Sequence, residues 1–378
     1  MYSRILKSTI KQKFLKGKAI VIIGARQTGK TTLAQEIISD FKTTKTQRYF
    51  NGDNPTDREL LTNKDLEFLI NLIGQADIIF IDEGQKITTI GQTVKLLVDH
   101  YKKNKQIVIT GSSSIHLLEQ TEEPLTGRKF VYTLFPLSLE ERYPTKDFVK
   151  ITKELESLLI FGSYPEVASL SSFEEKIELL KEINSSYLYK DIFEFQGVKH
   201  PDVITRLLKA LALQIGSEVS LNELSNILTI DKKTVERYID LLEKNFVIFR
   251  LPPYTKNKRR EISKLKKIFF YDLGIRNAIL QNFQFLDSRN DGGGLWENFM
   301  MVERLKYRAH HKIDANAYFW RTYDGQEVDL VEEQNGLLHG YEFKWKEPKK
   351  TKPPGAWAAD NSNTYKIISP NQLTGFVL

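Results

Sequence analysis

The chain has 378 residues, a length that at roughly 150 residues per domain predicts two to four domains rather than one core. With 41% hydrophobic and 27% charged residues it is composed like a globular protein, which argues against wholesale disorder or a fibrous repeat, and zero cysteines exclude disulfides, thiol catalysis and cysteine-ligated metal centres. The net charge of +7 is concentrated: residues 198–270 carry 15 Lys and Arg against 8 Asp and Glu, while the flanking segments are near neutral, which suggests local contact with a polyanion.

The N-terminus scatters lysines through a short amphipathic stretch, and no apolar run approaches 18 residues, so a cytoplasmic protein with no membrane partner is expected. The first third alternates β-branched runs with helical patterns: strands at 19–23, 77–81 and 106–110, and helices from about Thr31 to Ser39 and through Val94 to Tyr101. Short continuous apolar runs separated by helices predict a parallel sheet covered on both faces. Residues from about 150 to 196 read as a small helical subdomain, broken by Gly162-Ser-Tyr-Pro165.

From Val203 the period is again helical, with Leu207, Leu208, Leu211, Ala212 and Ile215 on one stripe. A second helix starts after Ser220, which forms a capping-box pattern with Glu223. Asp231 caps a third helix that carries Val235, Tyr238, Leu241 and Leu242 inward, and strands follow at 246–251 and 268–271. Three helices and a hairpin in this order predict a winged helix-turn-helix. Gly292-Gly-Gly294 reads as a linker or a turn before a helix from Trp296 to about Tyr307, and alternating strands complete the chain.

Gly24-Ala25-Arg26-Gln27-Thr28-Gly29-Lys30-Thr31, with Thr32 behind it, matches GxxxxGK[ST] between a buried strand and a helix. In this pattern the glycines let backbone N–H groups cradle phosphate at a helix N-terminus, Lys30 reaches the β- and γ-phosphates, and the Thr31 hydroxyl is a ligand of Mg²⁺. The strand ending in Asp82-Glu83 brings two carboxylates to the ligand edge of the sheet, Asp82 for Mg²⁺ and Glu83 to polarise the attacking water. The bland alternatives are a glycine-rich turn and a helix cap. ATP and Mg²⁺ are the expected cofactors.

With these motifs the chain resembles the AAA+ ATPases. The resemblance implies a polar residue from the strand after the acidic pair at the γ-phosphate, with Ser112 favoured and Thr110 close behind. It also implies that Arg128 reaches a neighbouring subunit's nucleotide, hence a homo-oligomer; a surface arginine paired with Glu122 or Glu123 is the alternative. The helical lid shows no obvious arginine at the usual second-sensor position, a departure from the pattern. Over nearly its full length the chain looks like prokaryotic AAA+ proteins whose core is followed by a domain of unknown function, through ITGSSS, LTGRKF with FPLS, FGSYPEV, KKIFFYDLGIRNAIL and GGGLWENFMMVERL. The implied architecture is α/β: an AAA+ P-loop core with a parallel sheet (1–143), a helical lid (144–200), a winged helix (201–285) and an α+β restriction-endonuclease-like domain (286–378).

In the winged helix, Lys232, Lys233, Arg237 and Lys244 on the third helix and Lys256, Lys258, Arg259 and Arg260 on the wing suit a DNA backbone. Glu236, Asp240 and Glu243 on the same helix oppose that, and docking of a protein partner is the alternative. In the C-terminal region, period 2 puts Glu327 with Asp329, and Glu342 with Lys344, on single strand faces, and Glu297 on the preceding helix can join them. This resembles the PD-(D/E)xK nuclease fold, in which Asp329 and Glu342 would bind Mg²⁺, Lys344 would help position or activate water and Glu297 would support the metal-bound water. His310 and His311 are expected at the surface. The leading expectation is an ATP-hydrolysing switch on DNA; the rivals are an ATP-gated nuclease and a non-enzymatic protein-interaction regulator.

Overall fold

A computed structural model describes residues 2–41, 43–112, 125–188, 201–255, 265–347, 352–359 and 362–378. The wing residues Lys256, Lys258, Arg259 and Arg260, and Glu122 and Glu123, lie outside them. Contacts divide the chain into one unit of residues 1–136 with 244–246 and a second of residues 137–243 with 247–378.

In the first unit, β1 (Ala19–Ile23), β3 (Ile78–Asp82) and β4 (Gln106–Gly111) are buried at every residue, as parallel strands covered on both faces must be. Two half-exposed strands, β2 (Gln47–Asn51) and β5 (Lys129–Thr133), form the edges of an all-parallel sheet of order β2-β3-β4-β1-β5. Successive side chains alternate between the faces. Ile20 and Ile22 join Leu33, Ala34, Ile37 and Ile38 of helix α1 (Lys30–Ser39), whereas Val21 and Ile23 join Val94, Leu97 and Val98 of helix α2 (Ile90–Tyr101). Only Phe50 of β2 is buried, which is why its sequence carries no strand signature. The C-terminal ends of β1, β3 and β4 share one edge, with β4 between the other two.

The second unit begins with helices. Helix α3 (Phe148–Phe161) stops at Gly162, as the sequence predicts. Helix α4 (Pro201–Leu213) buries Leu207, Leu208, Leu211 and Ala212, and Ile215 beyond its end is buried too. Helices α5 (Leu221–Leu228) and α6 (Lys232–Lys244) follow, with Val235, Tyr238, Leu241 and Leu242 inward. Asp231 caps α6 by accepting from Thr234 N–H at 2.9 Å. At α5 only half of the expected capping box forms: Ser220 accepts from Glu223 N–H at 3.3 Å, but the Glu223 carboxylate accepts from Gln214 instead. A three-stranded antiparallel sheet places β8 (Lys266–Phe270) between β6 (Glu218–Val219) and β7 (Ile248–Leu251).

Helix α7 (Leu273–Leu280) leads to helix α8, which runs from Gly292 to His311. The three glycines are its first turn rather than a linker, because burial of Leu295 and Trp296 overrides their low helix propensity. His310, expected at the surface, is buried, while His311 is exposed and sits 2.9 Å from Glu140. Strands β9 (Asn316–Arg321), β10 (Glu327–Gln334) and β11 (Leu337–Phe343) form an antiparallel meander, and β12 (Thr364–Ile368) adds parallel to β11.

Several sequence motifs outside the P-loop are explained by buried polar contacts to backbone. In FGSYPEV, Ser163 N–H donates to Asp272 at 2.7 Å. In YDLGIRNAIL, Asn277 donates to the carbonyls of Leu159 and Ile160, and Arg276 holds the Ala212 carbonyl and Asp291. In ENFMMVERL, Asn298 pairs with both backbone groups of Phe270, and Glu303 pairs with buried Lys306 at 2.7 Å while accepting from Leu139 N–H. Each buried donor is satisfied by an acceptor at a fixed position, so these side chains specify how α3, α7, α8 and β8 meet.

Candidate functional site

The phosphate loop runs from Gly24 to Gly29 between β1 and α1. Gly24 has φ +153, and a Cβ there would lie 2.2 Å from the Leu134 carbonyl oxygen, so no other residue fits. Thr28 closes the loop onto the Ala25 carbonyl at 2.9 Å, Gln27 takes a left-handed φ of 58°, and Arg26 is half-buried. Gly29, also left-handed, offers α1 no side-chain cap, which leaves the first-turn N–H groups for an anion. The Lys30 ammonium is buried and donates to the Ala25 carbonyl at 2.8 Å, inside the loop it would serve; Thr32 is exposed beside it.

Across the edge, Thr31 Oγ1 stands 3.0 Å from each carboxylate oxygen of Asp82. Thr110 Oγ1 also bonds Asp82, and Tyr49 OH donates to it at 3.3 Å; burial and the Asp82 charge push the Tyr49 phenol up to about 12. A hydroxyl and a carboxylate directed at one point are hard oxygen donors of the kind Mg²⁺ takes alongside phosphate and water, so this pair fits the ion.

Glu83 is left-handed at φ 49°, an uncommon conformation for a residue with a Cβ. Its neighbours hold it there. Glu83 N–H donates to Asp82 and Thr110, and Gln85 Nε2 bridges the Glu83 carboxylate at 2.5 Å and Ser112 Oγ at 2.9 Å. Ser112 Oγ is 3.4 Å from the same carboxylate. Both candidates, Thr110 on β4 and Ser112 just beyond its end, thus reach the acidic pair, Thr110 at Asp82 and Ser112 at Glu83.

Sequence reasoning missed four supports. Tyr49 and Gln85 carry no motif. Gly52 lies against the turn, where a Cβ would meet the Glu83 carbonyl oxygen at 2.2 Å. Arg4, buried, donates to the carbonyls of Thr28 and Phe135 and so ties the loop to the chain after β5. The signal for Arg4 and Gly52 is visible only once β2 and β5 are known to flank the site.

Arg128 is elsewhere. It precedes β5, whose first residue pairs with Ala19, so it lies at the opposite end of the sheet, about 13 Å of strand from Ile23. It is half-exposed and pairs with Asp99 at 2.5 Å. It therefore does not join its own phosphate loop.

The C-terminal residues do converge, around a cation the sequence had not assigned. Lys267 of β8 is 2% exposed, and its Nζ lies 2.9 Å from Glu297 Oε1, 2.5 Å from Glu327 Oε1 and 3.8 Å from Asp329 Oδ1. A one-residue register shift in β10 between Val328 and Val331 accompanies Asp329, which accepts from Phe343 N–H at 2.8 Å. Lys344 is bound to Glu342 at 2.6 Å. Burial and the Asp329 charge push the Glu297 carboxyl up to about 8, burial raises Asp329 and Glu342, and the three carboxylates hold Lys267 well above the usual lysine range. An ammonium already sits among the oxygens a divalent ion would need, and no group of three or more metal-ligating side chains that could hold an ion is found among the described residues. These residues do not fit the Mg²⁺ of the nuclease reading.

Among the described residues no helix is long and apolar enough to cross a membrane. Residues 16–143 match the family described as AAA domain, residues 152–285 a domain of unknown function, DUF8612, and residues 292–367 another, DUF4143. An uncharacterized protein of Mycobacterium tuberculosis is 26% identical over 328 residues, 86% of this chain and 70% of that protein, and one of Methanocaldococcus jannaschii is 26% identical over 344 residues, 82% and 75%. Among solved structures, the RuvB Holliday junction branch migration motor of Thermotoga maritima is 14% identical over 69% of this chain and 95% of that one, with a TM-score of 0.37. So low a score carries no functional weight. Residues 16–143, with their parallel α/β sheet and P-loop, thus match the AAA domain family, and residues 292–367 match DUF4143.

Proposed function

We propose that this protein is a Mg²⁺-dependent ATPase that acts as a switch on DNA. The observation that carries the ATPase reading is the convergence of Thr31, Asp82, Thr110 and Glu83 at the mouth of the phosphate loop. Thr31 and Asp82 would hold Mg²⁺, which supplies charge neutralisation at the β- and γ-phosphates. Lys30 binds the same phosphates once it leaves the Ala25 carbonyl. Glu83 orients the attacking water and accepts its proton, and Gln85 and Ser112 fix the carboxylate that does so. Arg128 would act only on a neighbouring copy of the chain.

What supports DNA as the partner is the charge of the α4–α6 module, which we read as a winged helix. Lys232, Lys233, Arg237 and Lys244 are exposed, while two of the three opposing carboxylates are engaged: Arg250 pairs with Asp240 at 2.7 Å and bonds Glu243 through two nitrogens. Of the three carboxylates, Glu236 is the one without a pairing to Arg250. The basic excess is smaller than the sequence suggests, since Lys267 is buried among carboxylates. The test is ATP turnover with and without single- and double-stranded DNA. DNA-stimulated turnover that Lys30→Ala abolishes is expected; no Mg²⁺-dependent turnover would overturn the enzyme reading, and turnover indifferent to DNA would overturn the switch.

A further inference from the structure

We infer that Lys267 is the resident cation of the C-terminal carboxylate cluster, standing where the nuclease reading needs a metal, so that residues 286–378 form a module that does not cleave. An ammonium has three donors, and Lys267 has carboxylate oxygens from Glu297 on α8 and from Glu327 and Asp329 on β10 around it. Its Nζ also lies 5.6 Å from the centre of the Phe319 ring, which closes one side with an aromatic face.

The lysine is not a plug that can be withdrawn. Residue 267 sits on the central strand of its sheet, paired with Glu218 on one side and Leu251 on the other, so its backbone is fixed from both sides. At 2% exposure the side chain ends among the carboxylates rather than snorkelling to solvent. A divalent ion bound to Glu297 and Asp329 would be repelled by the positive charge already held between the same carboxylates.

The remaining members of the cluster are also accounted for. Lys344, the candidate for activating water, is held by Glu342. Glu342 Oε2 is buried without a hydrogen-bond partner, and its other carboxylate oxygen is taken by Lys344 at 2.6 Å. Charge pairing through Lys267 joins β8, α8 and β10 without an exogenous ion.

The test is thermal melting of the full chain without nucleotide, in EDTA and in millimolar Mn²⁺. Wild type and Asp329→Asn should respond equally to Mn²⁺, so that any response belongs to the phosphate-loop site. Lys267→Met, which frees the carboxylates, should gain an additional rise of about 2 °C or more that Lys267→Met/Asp329→Asn loses. A wild-type response that Asp329→Asn diminishes, or a folded Lys267→Met that gains nothing, would overturn the inference. Should Lys267→Met not fold, the wild-type comparison still decides, joined by incubation of single- and double-stranded DNA with wild type and Glu342→Gln in Mn²⁺. Equal, background-level DNA integrity supports the inference, and cleavage that depends on Glu342 overturns it.

Discussion

Thr31 Oγ1 and the Asp82 carboxylate meet at 3.0 Å although β4 separates β3, which ends in Asp82, from β1, which leads into the phosphate loop. The hydroxyl comes from the first turn of α1, and the carboxylate from the last residue of β3. A change at either partner should act on metal-dependent chemistry more than on folding. Asp82→Asn is expected to remove Mg²⁺-stimulated turnover, and Glu83→Gln to lower turnover by about 10²–10⁴-fold while nucleotide binding persists. Turnover and equilibrium nucleotide binding, measured on the same preparations, check both.

Gly52 supports the strained turn at Glu83. A Cβ in Gly52→Ala would lie 2.2 Å from the Glu83 carbonyl oxygen, and both partners are backbone, so the turn must move. We expect a loss of about 1–3 kcal/mol of stability, typical of overpacking, together with a fall in kcat larger than any rise in KM. Melting and steady-state kinetics would show it; unchanged kcat would mean that the turn is not needed for catalysis.

Arg128 and Asp99 form an exposed ion pair, which contributes no more than about 1 kcal/mol. Arg128→Ala should therefore melt like wild type. If Arg128 serves a neighbouring subunit, its turnover nevertheless falls, and mixing it with Lys30→Ala protein restores part of the activity, because each variant supplies what the other lacks. Mixed-variant assays decide the point.

Lys267→Met leaves Glu297, Glu327 and Asp329 without their shared cation, and breaking a buried pair by removing one partner costs about 3–5 kcal/mol. Urea unfolding in EDTA would measure it. A loss below 1 kcal/mol would mean that the carboxylates are neutralised without the lysine.

Asp272 is fully buried, and burial pushes its carboxyl up to about 6 despite N–H donors from Ser163 and Ile275. The folded state thus binds the proton more tightly than the unfolded chain. Its contribution is complete below about pH 4 and is lost as pH rises through 6, on the order of 3 kcal/mol. Wild type should lose melting temperature relative to Asp272→Asn as pH rises from 5 to 7.5. A difference that does not change with pH would remove Asp272 as its source.

The sequence by itself determined the phosphate loop, the acidic pair and the buried strands, since each is a local pattern: glycine spacing at a strand-to-helix junction, or an apolar run long enough to cross a sheet buried on both faces. Period 2 also set Glu327 with Asp329, and Glu342 with Lys344, on single strand faces, and the resemblance to the nuclease fold joined Glu297 on its helix to them. Tertiary structure decided what surrounds them. Lys267 reads as one more basic residue in a basic segment until β8 is set beside α8 and β10, where the cost of burying a lone charge binds it to three carboxylates. Gly52, Tyr49 and Arg4 gain meaning in the same way, from strand order and close approach between segments distant in the chain, which no local periodicity encodes.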